Sequence, residues 1–311
     1  MNPAAMQVRF WGVRGSIACP GPATVVYGGN TACIEIRLLP ARRLVIIDGG
    51  TGLRLLGDEL MAHTSGKQAI VADLFLSHTH WDHIVGFPFF APLYRPGTQL
   101  TVHGPVTYED EPLERVVGDQ LRYRYFPLRP CELAARIRYR QIAEGVLDLG
   151  GGLTVRAKYL NHSLLTLGYR FEYRGRSLCT AFDTEPFRNV FPTDPDDPQY
   201  DPLVAEEGER AARDANRQLL DFYHGADLII HDAQYTREEY RVSRVGWGHS
   251  AMEDALDNAL MAEAGQLALF HHDPKRTDTQ LALLEQGLRA AVPQERSLSV
   301  FAAREQMLIE L

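Results

Sequence analysis

Long apolar runs are missing from this chain of 311 residues. Nothing approaches the roughly 18 consecutive apolar residues of a membrane helix, so no membrane partner is expected. The opening stretch from Met1 to Met6 holds neither a basic block nor an apolar block, which argues against a secretory signal there and for a cytoplasmic location. Cysteine is scarce. Cys19, Cys33, Cys131 and Cys179 lie far apart with no C-x-x-C, so they read as free thiols, mostly buried, and a disulfide framework is excluded. Internal repeats, heptads and low-complexity tracts are absent as well. Basic residues are outnumbered, 32 Lys and Arg against 40 Asp and Glu, for a net charge of −8. A long polyanion is gripped by a basic stripe, so a long nucleic acid is not expected as a partner, whereas a small phosphorylated substrate in a local pocket is compatible with the balance.

What is present is an ordinary globular composition, 45% hydrophobic and 23% charged. The length allows one or two domains. The reading is a single domain over residues 1–311, with a cap-like insertion at about 105–145 and an acidic, proline-rich loop at about 187–214 that leads into a helix. Short strands are expected at 7–11, 32–36, 43–48, 72–77, 99–103, 153–160, 167–173, 177–182, 227–231, 267–270 and 297–301. Helices are expected at 52–62, from about Ser250, and near 278–291. Strands with helices between and after them fit an α/β layered domain of two helix-covered sheets. The segment from Glu109 to Arg140 differs in character, with seven arginines and three tyrosines. It reads as a helical excursion with solvated arginines, or as a cap whose Arg and Tyr side chains meet an anionic substrate.

The chemistry is concentrated in His78-x-His80-x-Asp82-His83, where four metal-capable side chains fall within six residues. Strand side chains alternate with period two, so just past a strand end His78 and His80 point the same way and can share one ion. Asp82 and His83, after the chain turns, can face a second. Imidazole with carboxylate and no cysteine suits an open zinc, manganese or iron site, not a closed structural one. Three more candidates follow apolar strands in the same manner: His162, Asp183 and His271.

This order of ligands resembles the metallo-β-lactamase superfamily. Phe10-Trp-Gly-Val-Arg-Gly-Ser16 and Tyr27-Gly-Gly-Asn-Thr31 narrow the resemblance to a bacterial branch near the PhnP phosphodiesterases and ribonuclease Z. The resemblance runs from about Val8 past His272. It implies an αββα sandwich of two mixed sheets and two divalent ions per chain, zinc first, with manganese or iron as alternatives. His78, His80 and His162 would hold one ion, Asp82, His83 and His271 the other, and Asp183 would bridge them. His271 is preferred to its neighbour His272 because the family ligand falls immediately after the apolar strand. Asp48 resembles a carboxylate that orients a ligand histidine, with a simple Asx-turn as the other reading. Asn30 belongs to the N-terminal signature, as a residue near the ligands or the substrate. Arg14 in the same signature reads as a turn-stabilising ion pair.

Gly246-Trp-Gly-His249-Ser250 resembles a ribonuclease Z element whose histidine assists catalysis, and Ser250-x-x-Glu253 has the spacing of a capping box. His249 would be a general acid for the leaving oxygen or a phosphate contact. His231-Asp232 resembles a His-Glu pair of the same relatives, as a proton shuttle or as support behind the ligands. The catalytic expectation is therefore Asp82, His249 and His231. No glycine- and proline-rich basic arm of the ribonuclease Z kind is found. The leading reading is a phosphodiesterase that cleaves a small or cyclic nucleotide-like diester with a hydroxide shared by two ions, in a chain that can form a homodimer. The alternative is hydrolysis of a carbonyl ester, lactone or thioester at the same ions. A non-hydrolytic di-iron role ranks last, since those proteins carry glutamate where His80 stands.

Overall fold

A computed structural model describes residues 4–65, 68–106 and 111–311. β1 (Met6–Gly12), β2 (Cys33–Leu38) and β3 (Arg43–Ile47) form an antiparallel meander. β4 (Val71–Phe75), β5 (Gln99–Pro105) and β6 (Arg136–Ile142) extend it in parallel. A second sheet starts with the antiparallel strands β7 (Gly145–Asp148), β8 (Leu153–Leu160), β9 (Thr166–Tyr173) and β10 (Arg176–Ala181). It continues in parallel through β11 (Leu228–Asp232), β12 (Gln266–Phe270) and β13 (Ser299–Ala302). The short β14 (Leu308–Glu310) returns to the first sheet beside β1. The orders are β14-β1-β2-β3-β4-β5-β6 and β13-β12-β11-β10-β9-β8-β7.

Helices cover both outer faces. α1 (Gly52–His63) lays Leu53, Leu56 and Leu60 over Leu44, Ile46 and Leu74 of the first sheet. The short helices α2 (Trp81–Ile84) and α3 (Leu113–Gly118) lie on the same side of the core. α4 (Pro202–Tyr223), α6 (Met252–Met261) and α7 (Asp278–Ala291) cover Ile229, Leu267 and Leu269 of the second sheet, and α5 (Arg237–Ser243) precedes α6. Between the sheets, Val8, Phe10, Ile34, Val45 and Phe75 meet Val155, Tyr169, Phe171, Ile230 and Phe270 in one core. The layers are helix, sheet, sheet, helix, as expected. β3 is buried along nearly its whole length because it has a helix on one face and a sheet on the other, which is why Leu44 to Ile47 is an unbroken apolar run. Among the described residues, no helix is long and apolar enough to cross a membrane.

The start signals of the long helices are local. Asp201 accepts from the backbone N–H groups of Leu203 (2.8 Å) and Val204 (3.3 Å) ahead of α4, with Pro202 in the first turn. Thr277 and Gln280 form a capping box at α7. The capping box expected at Ser250 is absent. α6 begins one residue later than that pattern requires, Ser250 Oγ donates to the Thr184 carbonyl (2.6 Å), and Glu253 accepts from Arg237 N (2.8 Å). Tertiary partners outbid the local pairing.

The Arg/Tyr-rich stretch also differs from expectation. Glu109 and Asp110 lie outside the described residues, as do residues 107 and 108 of the expected insertion. The rest is not a helical excursion. Six residues form α3, a loop follows, and Arg136–Ile142 joins the first sheet as its edge strand.

Two bonds tie the second sheet to the segment that leaves β4. Tyr169 Oη donates to the Leu76 carbonyl (2.6 Å), and Leu167 N donates to the Ser77 carbonyl (2.9 Å). Tyr169 is fully buried. Tyr169→Phe removes one of these ties and is expected to lower unfolding stability by about 1–2 kcal/mol in a urea titration. An unchanged midpoint would show that the bond contributes nothing.

Candidate metal centre

The strand ends of both sheets converge. Asp48 follows β3, Ser77 and His78 follow β4, His162 follows β8, Asp183 follows β10, Asp232 ends β11 and His271 follows β12. Asp48, Asp183 and His271 take positive φ values of 58°, 47° and 60°. A non-glycine residue in the left-handed region costs about 1–2 kcal/mol, and such residues concentrate at functional sites. Here the reversal lets the chain leave the strand at once while the side chain stays over the sheet edge.

Among the described residues, three donor groups overlap at Asp183, one of them made of Asp183, Asp232, His249 and His271. His78, His80, His162 and Asp183 offer ligand atoms that all lie within 4.8 Å of one another, and so do Asp82, His83, Asp183 and His271. In the first, His78 Nε2 is 2.9 Å and His162 Nε2 is 3.1 Å from His80 Nδ1. In the second, His271 Nε2 is 3.3 Å from His83 Nε2 and 3.2 Å from Asp82 Oδ2. Asp183 is divided between them. Its Oδ2 lies 3.4 Å from His78 Nε2, while its Oδ1 lies 3.3 Å from His83 Nε2 and 3.2 Å from His271 Nε2.

Outer contacts fix which nitrogen of each ring faces inward. His162 Nδ1 donates to the Gly248 carbonyl at 2.9 Å, and His83 Nδ1 donates to Asp48 Oδ2 at 2.7 Å. His78 Nδ1 lies 3.0 Å from Ser77 Oγ, and Ser77 in turn donates to Asp48 through both N (2.7 Å) and Oγ (2.8 Å). Asp48 is therefore a buried anchor for His83 and for the segment that carries His78, not a simple Asx-turn. The Ser16 N–H donates to Asp82 Oδ2 at 2.6 Å. Glycines make room for the rings. A Cβ on Gly15 would sit 2.3 Å from His271 Cε1, and one on Gly248 would sit 2.2 Å from His162 Nδ1.

The electrostatics suit a cation. Burial pushes His80 down to about 4 and His162 to about 3, which leaves neutral imidazoles with free lone pairs. Burial opposes charge on His83 too, but Asp183, Asp82 and Asp48 overcome it and hold that ring well above its ordinary pKa. Burial would raise Asp82 and Asp183, yet the facing imidazoles, His83 and His271 at Asp82 and His271, His83 and His78 at Asp183, hold both well below the usual carboxylate range. Asp183 Oδ1 is buried without a hydrogen-bond partner. Converging lone pairs, surplus carboxylate charge and an orphaned oxygen together form a donor set fit for metal. Asp48→Asn keeps an acceptor but removes the charge behind His83. It is expected to weaken zinc affinity about 10- to 100-fold in a chelator competition. Undiminished affinity would relegate Asp48 to a turn.

Other expected site residues divide. His249 Nδ1 donates to Asp232 Oδ2 at 2.9 Å, and its ring stacks on His271 with centroids 4.9 Å apart. Burial disfavours its charge, yet Asp232 raises it to about 9. His231 is not brought to the cluster. Adjacent strand residues face opposite ways, so with Asp232 facing the site His231 faces α6, where Asn258 Nδ2 lies 3.2 Å from its Nε2. A catalytic role for His231 has no geometric support. Asn30 also points elsewhere, because its amide donates to Glu305 Oε2 at 3.1 Å. Its carbonyl receives the N–H groups of Val13 and Arg14, so it secures the loop that delivers Ser16. Arg14 is fully buried and donates to the carbonyls of Gly28 (2.8 Å) and Arg276 (2.7 Å). His272 Nε2 donates to the Ala303 carbonyl at 2.8 Å, outside the cluster, whereas His271 lies inside it. Sequence reasoning missed Ser16, Ser77, Gly15 and Gly248. The adjacency of each to a signature residue was the available signal.

No family model matches the chain. It is 26% identical over 294 residues to the ribonuclease Z of Limosilactobacillus fermentum, an overlap of 86% of this chain and 87% of that protein. Among solved structures, the metallo-β-lactamase fold protein YhfI from Bacillus subtilis superposes with a TM-score of 0.64 at 16% identity, covering 98% of this chain and 99% of that one. A diphosphatase from the PhnP family gives 0.61 at 15% identity, covering 98% of both. The fold is that of metallo-β-lactamase fold proteins, and the donor set at its strand ends is one that could hold metal ions. Within that fold, the chain resembles the ribonuclease Z and PhnP branch. The expectation that a long nucleic acid is no partner is overturned, because a relative matched over most of its length is a ribonuclease. Net charge is a sum over the whole surface and does not describe the patch a polyanion would meet.

Proposed function

We propose that this chain is a dinuclear metal-dependent phosphodiesterase acting on nucleotide phosphodiesters, with cyclic and other small diesters as its first substrate class. The observation that carries the reading is the division of Asp183, one oxygen toward His78 and the other toward His83 and His271. His78, His80 and His162 would hold one ion, and Asp82, His83 and His271 the other, zinc first, with manganese or iron as alternatives. When bound, such a pair activates water near neutral pH and stabilises the charge of an in-line displacement at phosphorus. The protein's own part is positional. Asp183 fixes the spacing of the two groups. Asp48 and the Gly248 carbonyl orient His83 and His162. Asp232 holds His249 by Nδ1, which leaves Nε2 as the nitrogen able to carry a proton to the leaving oxygen.

The test is turnover of bis(4-nitrophenyl) phosphate by chelator-stripped protein before and after zinc or manganese is restored, followed by cyclic nucleotides and a 3′-extended RNA hairpin. Metal-dependent release of nitrophenolate is expected. Hydrolysis of lactones or thioesters without any diester cleavage would overturn the reaction class.

A further inference from the structure

The chain has three tryptophans. Trp11 is buried and donates from Nε1 to Glu35 at 2.9 Å. The other two are exposed, Trp81 by 76% and Trp247 by 56%. Exposed aromatics scattered singly are ordinary, but each of these adjoins in the chain a residue that belongs to the cluster or is hydrogen-bonded to it. A short chain of contacts joins them. Trp81 follows His80, whose Nδ1 is 3.1 Å from His162 Nε2. His162 Nδ1 donates to the carbonyl of Gly248, the residue after Trp247. Within the cluster, His80, His162 and His249 are the part-exposed members, and Trp81 and Trp247 stand one residue from His80 and two from His249 along the chain. Trp247 is also braced. The Arg244 guanidinium lies over its ring at 4.4 Å from the centroid, which covers one face and leaves a planar partner the other.

We infer that Trp81 and Trp247 flank the mouth of the site as stacking surfaces for the base of a nucleotide substrate. The inference rests on the phosphodiesterase reading for the word substrate, yet it concerns recognition and not hydrolysis. Stacking tolerates any base, because every base has a π-face, and it adds affinity that a sugar phosphate cannot gain.

The test is calorimetric titration of the zinc-loaded protein with 5′-AMP and with ribose 5-phosphate, which share the phosphate and the sugar. Wild type is expected to bind 5′-AMP about tenfold or more tightly than ribose 5-phosphate. The ratio should approach one in the Trp81→Ala/Trp247→Ala double variant and recover in Trp81→Tyr/Trp247→Tyr. Both positions are exposed, and far-UV circular dichroism checks the fold. Equal affinities in wild type, no binding of 5′-AMP, or a ratio that survives the double alanine variant would each overturn the proposal. Failure of bis(4-nitrophenyl) phosphate turnover would sink the phosphodiesterase reading alone, since the affinity ratio is read without catalysis.

Discussion

Asp183→Ala protein, loaded with zinc or manganese, should turn over bis(4-nitrophenyl) phosphate at no more than about a thousandth of the wild-type rate, because the stabilisation that two ions give an in-line displacement is worth several kcal/mol. The effect is large because one side chain serves both donor groups, with Oδ2 near His78 and Oδ1 near His83 and His271. Its loss removes a shared carboxylate and leaves imidazoles facing one another with less negative charge between them. Metal content measured on the same sample is expected to fall below two ions per chain. The fold should survive, because the packing of the two sheets is carried by residues such as Val8, Ile34, Val45, Val155 and Phe171 and not by the Asp183 side chain. Wild-type turnover in the variant would show that Asp183 is a structural residue and that the two donor groups do not act together.

How far the site was legible follows from which forces are local. The cluster from His78 to His83 is compact in sequence, and the residues after β8, β10 and β12 share one grammar: an apolar strand, then a ligand type. Parity failed at His231-Asp232. The pair stands where the motif has His-Glu, and only the register of β11 decides that the aspartate faces His249 while the histidine faces Asn258. Asn30 failed for a related reason. A signature residue can serve a loop through Glu305 instead of the chemistry. In the fold, the stretch from Arg136 to Arg140 alternates arginine with Ile137 and Tyr139, a strand pattern that the density of charge disguised as a solvated helix. The strand forms because β5 offers a free parallel edge, with seven paired positions from Gln99–Arg136 to Pro105–Ile142, and no local signal announces that. Ser250-x-x-Glu253 shows the opposite error, a valid local motif whose two members found tertiary partners in Thr184 and Arg237.

The second large effect belongs to His249. Its replacement by alanine should reduce kcat by about 10²–10⁴-fold on a diester with a poor leaving group, the usual range for a positioned general acid. The dependence on leaving group separates the two roles open to this side chain. Nitrophenolate leaves readily without a proton, so a general acid contributes little to its departure, and the defect on bis(4-nitrophenyl) phosphate should shrink to about tenfold or less. A sugar alkoxide needs the proton, so on a cyclic nucleotide or a dinucleotide the defect should be full. A phosphate contact predicts the same loss on both, because it stabilises the phosphoryl oxygens whatever leaves. Asp232→Asn tests the support behind the ring. Asp232 holds His249 Nδ1 at 2.9 Å and also accepts from Thr184 N at 3.1 Å, next to Asp183. If Asp232 acts through His249, the asparagine variant should share the leaving-group dependence of His249→Ala. If it acts only through the backbone beside Asp183, it should instead lose metal, with an equal defect on every substrate. These patterns are exclusive, and metal content with two substrates distinguishes them.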